Sequence, residues 1–326
     1  MAVIQGGPST EAEVSRASAR GVAKALADAG HGAVRLELDP FLSESLRTGG
    51  YDVAFPVVHG AVGEDGSLQG LLEVLDLPYV GSGVLASALA MNKRVARVLF
   101  ERAGLPVARG VTFERTDALD AAARARRDVG AALVVKPSSH GSAIGVARVA
   151  ADAPLVDVAR ALEAVWALDD FALVEHFAAG REVTCGVHDA REASAPVALP
   201  PTEIFSPHDP FYTYEARYAP GRSEHVCPAA LPPAVAVRVQ QVAVAAHAAL
   251  GCRDLSRVDF IVGDDGDPDA VTLLEVNTLP GMTATSLYPE AAAVAGLSMS
   301  ALCGGFVARA HTRGPTRRLT ARPMPT

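Results

Sequence analysis

The sequence predicts a multi-domain α/β protein, and three observations carry that prediction. The chain opens as strand, turn, helix and strand: residues 2–5 are an apolar run and Gly6 to Glu11 a Gly/Pro/Ser turn. Val14, Val22, Leu26 and Ala29 then recur at helical spacing until Gly30 ends the helix. Residues 34–38 alternate as a strand, and 52–58 form a continuous apolar run of the kind buried on both faces of a parallel sheet. Near the other end, the runs at 257–261 and 273–277 flank a segment dense in Gly, Asp and Pro, which predicts an antiparallel hairpin. An open parallel α/β sheet binds ligands beyond its strand C-termini, where Glu11 and His59 fall.

Composition sets the outer limits. At 326 residues the chain is long enough for two or three packed units, and with 49% hydrophobic and 20% charged residues it reads as globular. A formal net charge of -8 argues against nucleic acid as a partner, since phosphate affinity needs basic patches. The four cysteines, Cys185, Cys227, Cys252 and Cys303, are scattered without metal spacing and are expected to be reduced thiols. The opening MAVIQGG has no basic leader, and no long apolar segment follows. The expectation is a cytoplasmic protein with no export signal and no membrane span.

Glu275 and Asn277 lie two apart in an apolar strand, so they share a face. Folding the hairpin about Asp267 sets Asp259 opposite Glu275, with Arg257 on the same face. Two carboxylates and an amide oxygen make a hard, oxygen-only site suited to Mg²⁺ bridging phosphates. The flanking Leu273, Leu274, Val258 and Ile261 favour burial over a solvated polar face. The turn is no EF-hand, because the required glycine falls at Ala270 and the closing glutamate at Val276.

Between these ends the elements follow in order. After the 52–58 strand, His59 begins a Gly-rich turn, where it is as readily a structural residue as a functional one. No GxGxxG follows the first strand, which argues against a dinucleotide fold. A helix at 92–103, a strand at 107–113, a helix at 117–128 and a strand at 132–136 follow. Residues 137–145 then form a small-residue loop before a strand at 146–149, with Lys136 at its entrance, able to cover phosphates with backbone N–H groups. Lysine occurs only at Lys24, Lys93 and Lys136 in an arginine-rich chain, so Lys93 and Lys136, beside motif-like runs, become candidates for phosphate or nucleobase contacts. A helix at 154–168 leads to a strand ending at Glu175, which either accepts hydrogen bonds from a nucleoside or pairs with Arg181. Residues 200–228 read as a long irregular segment; its three tyrosines argue for a lid over a disordered loop. An apolar helix at 232–250 packs behind the hairpin, and two short helical runs follow residue 287 before a disordered tail.

Five runs in this order resemble the D-alanine:D-alanine ligases of the ATP-grasp superfamily: HGAVGEDGSLQGLLEVLDLPYVGSG at 59–83, ASALAMNK ending at Lys93, VVKPSSHGSAIGV, FYTYEARY and LLEVNTLPGMT. The resemblance spans residues 2–310. It implies an N-terminal α/β domain at 1–88, two ATP-grasp subdomains at 89–178 and 179–311, and a disordered tail at 312–326. It further implies that Lys93 and Lys136 hold ATP phosphates and adenine, with Glu175 and Glu182 near adenine and ribose and Arg217 toward phosphate. Asp259, Glu275 and Asn277 would bind two Mg²⁺ ions, with Mn²⁺ a substitute. Glu11 matches the contact to the first D-alanine's ammonium and would form a closing bridge with Ser142 and Tyr218. Ser286 and the Leu287 backbone match the second carboxylate site, Arg257 and Gly281 flank the reacting carbonyl, and His59 stands near the second D-alanine.

The implied activity is ATP-dependent ligation of two D-alanine molecules through an acyl phosphate, for peptidoglycan precursors, with a homodimer possible through the N-terminal domain. Departures from the family pattern are Arg217 for lysine, Ala143 for serine, Ala12 for a charged residue and Ala61-Val62 for a more polar pair. The last two motivate an alternative, a ligase for another amino acid pair in secondary metabolism or self-resistance. Tyr218 favours the dipeptide over a D-lactate ester. A nucleotide-binding regulator without catalysis ranks lower, because both lysines, Arg257 and the metal ligands are all present.

Overall fold

In the computed structural model, which describes residues 1–189, 195–205, 223–264 and 266–315, the opening run becomes β1 (Ala2–Gln5). It lies fully buried between β2 (Val34–Glu37) and β3 (Ala54–Pro56) in a parallel sheet of order β2-β1-β3. Helix α1 (Ala12–Asp28) returns the chain across the sheet and buries Ala19, Val22, Ala25 and Leu26. The strand expected at 52–58 is only three residues in the ladder: Val57 still donates its N–H to the Ile4 carbonyl at 2.9 Å, then the chain turns off toward His59. Short helices α2 (Leu42–Thr48) and α3 (Ser67–Val74) close the other face with Leu42, Leu46, Leu68 and Leu72.

Helix α4 (Val84–Met91) was not legible in the sequence, and the boundary expected after residue 88 falls inside it. Its run VLASALAM lacks a polar face, so no helical period shows. Asn92 separates it from α5 (Lys93–Arg102) by leaving the helical conformation and accepting the Val95 N–H with its side chain, as an N-cap does.

A second sheet is wholly antiparallel, of order β4-β7-β5-β6: β4 (Gly110–Glu114), β7 (Phe171–His176), β5 (Leu133–Pro137) and β6 (Ala147–Val149). Helices α6 (Ala118–Asp128) and α7 (Leu155–Trp166) bury their alanine, leucine and valine faces against it. A third sheet runs β11-β10-β8-β12-β13, with β9 also on β8: β8 (Arg181–Asp189), β9 (Pro196–Ala198), β10 (Thr202–Phe205), β11 (Glu224–Val226), β12 (Leu255–Val262) and β13 (Val271–Asn277). Helix α8 (Pro233–Ala249), opened by Pro at its first turn, packs Val235, Val239, Val242 and Ala246 behind β8, β12 and β13.

Two expectations are corrected here. The segment 200–228 is not irregular throughout, since its ends pair as β10 and β11; strands this short between prolines show too few alternations to be read. Its centre, 206–222, lies outside the described residues. Helices α9 (Leu287–Val294) and α10 (Met299–Arg313) follow as expected, but α10 runs past the predicted tail start at 312. The reason is tertiary: Arg313 forks onto Asp254 at 2.9 and 2.8 Å and donates to the Tyr79 carbonyl at 2.9 Å. Asp254, wholly buried at φ 64°, also accepts the Gly81 N–H at 2.9 Å. The network ties α10 to the N-terminal sheet. The rest of the expected tail, 316–326, lies outside the described residues.

Among the described residues no single helix is long and apolar enough to cross a membrane. The pair α9 and α10 has the composition for it, but it is bent by 103° and its apolar residues pack against α1. All four cysteines are free thiols.

Candidate active site

The hairpin β12–β13 has the register read from its turn: Asp259 stands opposite Glu275 and Arg257 opposite Asn277. A bulge between Asp259 and Phe260 interrupts the ladder at the carboxylates, and bulges commonly re-aim side chains beside sites. Arg257 makes a two-pronged contact with Asp259, Nε to Oδ1 and Nη2 to Oδ2, each 2.9 Å. Thr184, paired with Asp259 across β8, donates its hydroxyl to Oδ1 at 2.7 Å. The Asn277 amide oxygen accepts the Leu279 N–H at 2.9 Å. Among the described residues no group of three His, Cys, Asp or Glu side chains is placed to hold a metal. The donor set here is instead two carboxylates and an amide oxygen, which fits a hard divalent cation.

Lys93 opens α5, a position where a cation opposes the helix dipole. It is offset by Glu275, whose Oε2 is 3.0 Å from Nζ, and Nζ also donates to the His140 carbonyl at 2.7 Å. The loop between β5 and β6 is docked on the same helix start, with Ser138 Oγ donating to Asn92 Oδ1 at 3.1 Å. Further along, Ser142 and Ala143 both adopt left-handed backbone, at φ 52° and 56°. Non-glycine residues bear strain there, and strain of this kind clusters at ligand clamps. The loop so shaped carries Ser142 Oγ to Glu11 Oε1, 2.7 Å away across the cleft.

These parts surround a cleft of about 460 Å³, lined by Glu11, His59, Lys93, Ser142, Arg257, Glu275, Asn277, Gly281, Ser286 and Leu287. A β-carbon on Gly281 would stand 2.8 Å from Ser286 Oγ, so a side chain there would push that hydroxyl from its place. Ser286 Oγ accepts the Thr283 N–H at 3.1 Å and lies 2.7 Å from Thr283 Oγ1, at the start of α9. A second cavity of about 190 Å³ lies between the two antiparallel sheets, lined by Lys136 and Val134 on one side and Glu182, Ile261 and Leu274 on the other. Lys93 and Glu275 line both spaces. Glu175 at the cavity wall does not pair with Arg181, as one reading of the sequence had it: Lys136 and Arg97 hold it, and Arg181 forks onto Glu203 instead. Arg217 and Tyr218 lie outside the described residues.

Three residues in or beside the site carried no sequence signal for their role. Thr184 holds Asp259 and Arg97 holds Glu175, each from an element distant in sequence. Glu64, in the turn after His59, lies in the cleft wall and accepts the Gly60 N–H at 2.5 Å. Burial pushes its pKa from 4.5 up to about 8, against the pull of that hydrogen bond. His59 moves the other way, since burial disfavours the imidazolium and lowers its pKa despite the nearby Glu11 charge. In the same turn, Val62 stands at φ 71°, a strained conformation for a β-branched residue.

A parallel N-terminal sheet followed by two antiparallel sheets that enclose a lysine- and carboxylate-lined cavity defines an ATP-grasp fold. Comparison with known proteins narrows the class. Family models described as D-ala D-ala ligase N-terminus and C-terminus match residues 39–82 and 99–308. A D-alanine--D-alanine ligase of Geobacter sulfurreducens is 46% identical over 290 residues, covering 89% of this chain and 87% of the relative. That of Pelotomaculum thermopropionicum is 41% identical over 321 residues, covering 97% and 98%. Among solved structures, the D-alanine-D-alanine ligase of Coxiella burnetii superposes with a TM-score of 0.79 at 29% identity, covering 96% of this chain and 95% of that one. The VanG D-Ala:D-Ser ligase of Enterococcus faecalis gives 0.80 at 30%, covering 95% and 98%. The chain belongs to the D-alanine–D-alanine ligase family.

Proposed function

We propose that this protein joins two D-alanine molecules into D-alanyl-D-alanine for peptidoglycan precursors, with conversion of ATP to ADP and phosphate. The observation that carries the assignment of parts is the continuity of the two spaces: Lys93 and Glu275 belong both to the inter-sheet cavity and to the larger cleft. A nucleotide in the cavity would thereby present its terminal phosphate where a carboxylate substrate can reach it.

In this reading the apolar inter-sheet cavity holds adenine and ribose, with Lys136, Glu175 and Glu182 as polar contacts, and Lys93 reaches the phosphates. Asp259, Glu275 and Asn277 would hold Mg²⁺, which when bound neutralises charge on the transferring phosphoryl group. The first D-alanine's ammonium lies by Glu11 while its carboxylate oxygen takes the γ-phosphoryl group. The second D-alanine's amine then attacks the carbonyl carbon, the carbon–oxygen bond to phosphate breaks, and inorganic phosphate leaves. Arg257 and the Gly281 N–H stabilise the oxyanion formed on the way. Ser286 and the N-terminus of α9 with the Leu287 N–H receive the second carboxylate, as helix starts favour anions. Neutral His59 borders that substrate. The bridge from Glu11 to Ser142, extended by Tyr218 and with Arg217 toward phosphate, closes the site against water that would hydrolyse the acyl phosphate.

The division at 1–88, 89–178 and 179–311 is supported by an apolar core beneath α2 and α3 within the first range and one between α6, α7 and the second sheet within the next; the core beneath α8 also takes in Ala96 and Phe100 of α5, and α1 shares a core with α9 and α10. The cytoplasm, where ATP is available, is the proposed compartment. A homodimer through the N-terminal domain belongs to the same proposal.

The test is ADP release from purified protein with Mg-ATP, with and without D-alanine, alongside mass detection of product. Expected are D-alanine-dependent ADP with matching dipeptide, and loss of both in Glu275→Ala. Product only with D-serine or D-lactate as second substrate would overturn the D-alanine assignment in favour of a ligase for another pair. ATP binding without turnover on any amino acid would overturn the enzyme.

A further inference from the structure

Glu175, on the wall of the inter-sheet cavity, is gripped from two sides. Lys136 on β5 places Nζ 2.6 Å from Oε2, and Arg97 on α5 places Nη1 3.0 Å from Oε1. The three side chains are only 10%, 11% and 10% exposed for Lys136, Arg97 and Glu175. The cations differ in position, however. Lys136 and Glu175 face the cavity, whereas Arg97 lies behind Glu175, among Ala96, Phe100, Val107 and Leu173. Its Nη2 reaches outward to Glu101 at 2.7 Å.

A second observation comes from β4. Gly110 pairs directly opposite Glu175 in the β4–β7 ladder. A β-carbon there would stand 2.7 Å from Arg97 Nη1, 2.8 Å from the Val174 carbonyl oxygen and 2.9 Å from Glu175 Cγ. The ion pair thus occupies the volume a side chain at 110 would need. The fold keeps a bare backbone where Arg97 and Glu175 meet.

A single buried carboxylate needs one cation for neutrality, and here it has two. They are not equivalent once a nucleotide is bound. Lys136 lines the cavity proposed for the nucleotide, and its ammonium on a flexible stem can turn from Glu175 to the bound nucleotide. The Arg97 guanidinium is a rigid fork whose side chain does not line the inter-sheet cavity. Glu175 therefore keeps one fixed partner on Oε1 while Oε2 is released.

We propose that Arg97 is a positioning residue for nucleotide selection: it anchors Glu175 Oε1 so that Oε2 faces the exocyclic edge of the base. A carboxylate oxygen there accepts from the amino group of adenine and repels the carbonyl oxygen that guanine presents at the same place. The inference rests on the reading of Glu175 as a base contact.

Steady-state kinetics of the full chain test it, with ATP and GTP as alternative donors and D-alanine varied separately. Arg97→Met should raise KM for ATP about tenfold, the scale expected for losing a charge-assisted hydrogen bond, and lower the ATP:GTP ratio of kcat/KM to a similar degree. KM for D-alanine and kcat at saturating ATP should stay within about twofold of wild type. Arg97→Lys should recover part of the loss, and Glu101→Gln, which touches only the outer hand of Arg97, should change neither quantity. Gly110→Ala, which keeps both charges but displaces the pair, should reproduce the Arg97→Met pattern and serves if that variant folds poorly. An unchanged ATP:GTP ratio in both Arg97→Met and Gly110→Ala would overturn the proposal. Glu175→Gln separates the levels: if it too leaves ATP selectivity unchanged, the base-contact reading falls; if it alters selectivity while the Arg97 variants do not, only the role of Arg97 falls.

Discussion

Glu64→Gln is the substitution whose consequence can be worked out furthest. In the folded protein burial raises the Glu64 pKa from 4.5 to about 8. Between those values the folded protein keeps the proton while the unfolded chain has released it. The stability this group contributes is thus complete below pH 4.5 and is lost as pH rises through 8. At about 1.4 kcal/mol for each tenfold change in proton affinity, the ceiling of that loss is roughly 5 kcal/mol, and solvent reaching the cleft wall reduces it to a few. Glutamine carries no charge at any pH, so the variant-minus-wild-type difference isolates the group. His59, buried neutral beside it, penalises acid pH instead, but it is common to both proteins and cancels. At pH 5 the variant should be equal to wild type or about 1 kcal/mol weaker, because the amide alters the bond to Gly60 N–H. At pH 9 it should be more stable by a few kcal/mol, a gain of several degrees in Tm. Calorimetric melts of the ligand-free proteins at pH 5, 7 and 9 measure this directly. Parallel pH profiles for the two proteins would refute the reasoning, since a surface-like Glu64 has no proton to keep.

Other perturbations test separate joints of the structure. Ser142→Ala removes the 2.7 Å bond to Glu11 that spans the cleft, and kcat/KM should fall roughly tenfold to hundredfold with Tm nearly unchanged. Asp254→Ala leaves Arg313 and the Gly81 N–H without their buried acceptor, and denaturant unfolding should show a loss of about 3–5 kcal/mol. Thr184→Val is nearly isosteric but deletes the hydroxyl that orients Asp259; the Mg²⁺ concentration for half-maximal activity should rise roughly tenfold, the lower end of the effect typical of losing a support behind a metal ligand.

The hairpin was legible because its turn chemistry and two-residue alternation fix a register, and register alone decides that Asp259 meets Glu275. Helix α1 was legible because Val22 and Leu26 repeat on one face. What escaped was set by packing between distant segments. Arg97 meets Glu175 across 78 residues of chain, and no local pattern distinguishes it from the arginines on solvated faces. Arg181, the nearer candidate by sequence, turned to Glu203 because β8 and β10 bring them together. Glu64 sits inside a quoted motif, yet its raised pKa comes from burial, which residue type does not reveal. The continuation of α10 to Arg313 likewise depends on Asp254, an acid whose left-handed backbone and complete burial appear only in the fold.

Three of the acids at the two spaces share one arrangement: Glu275, Glu175 and Asp259 are each already paired with a cation. Lys93 holds Glu275, Lys136 and Arg97 hold Glu175, and Arg257 holds Asp259. Bringing these charges out of water has therefore been compensated within the fold before any substrate arrives. Taking one member of such a pair away weakens that compensation, at a cost that reaches about 3–5 kcal/mol where no second partner remains. A polyphosphate alone would strip Lys93 from Glu275, and a divalent cation alone would strip Glu275 from Lys93. Arriving together they satisfy both halves at once, the phosphate on the lysine and the cation on the carboxylate. The same pairing that stabilises the ligand-free cleft thus favours a metal–nucleotide complex over either component. Because Lys93 and Glu275 line both spaces, that exchange would take place at the join between them, where the proposed function delivers the phosphoryl group.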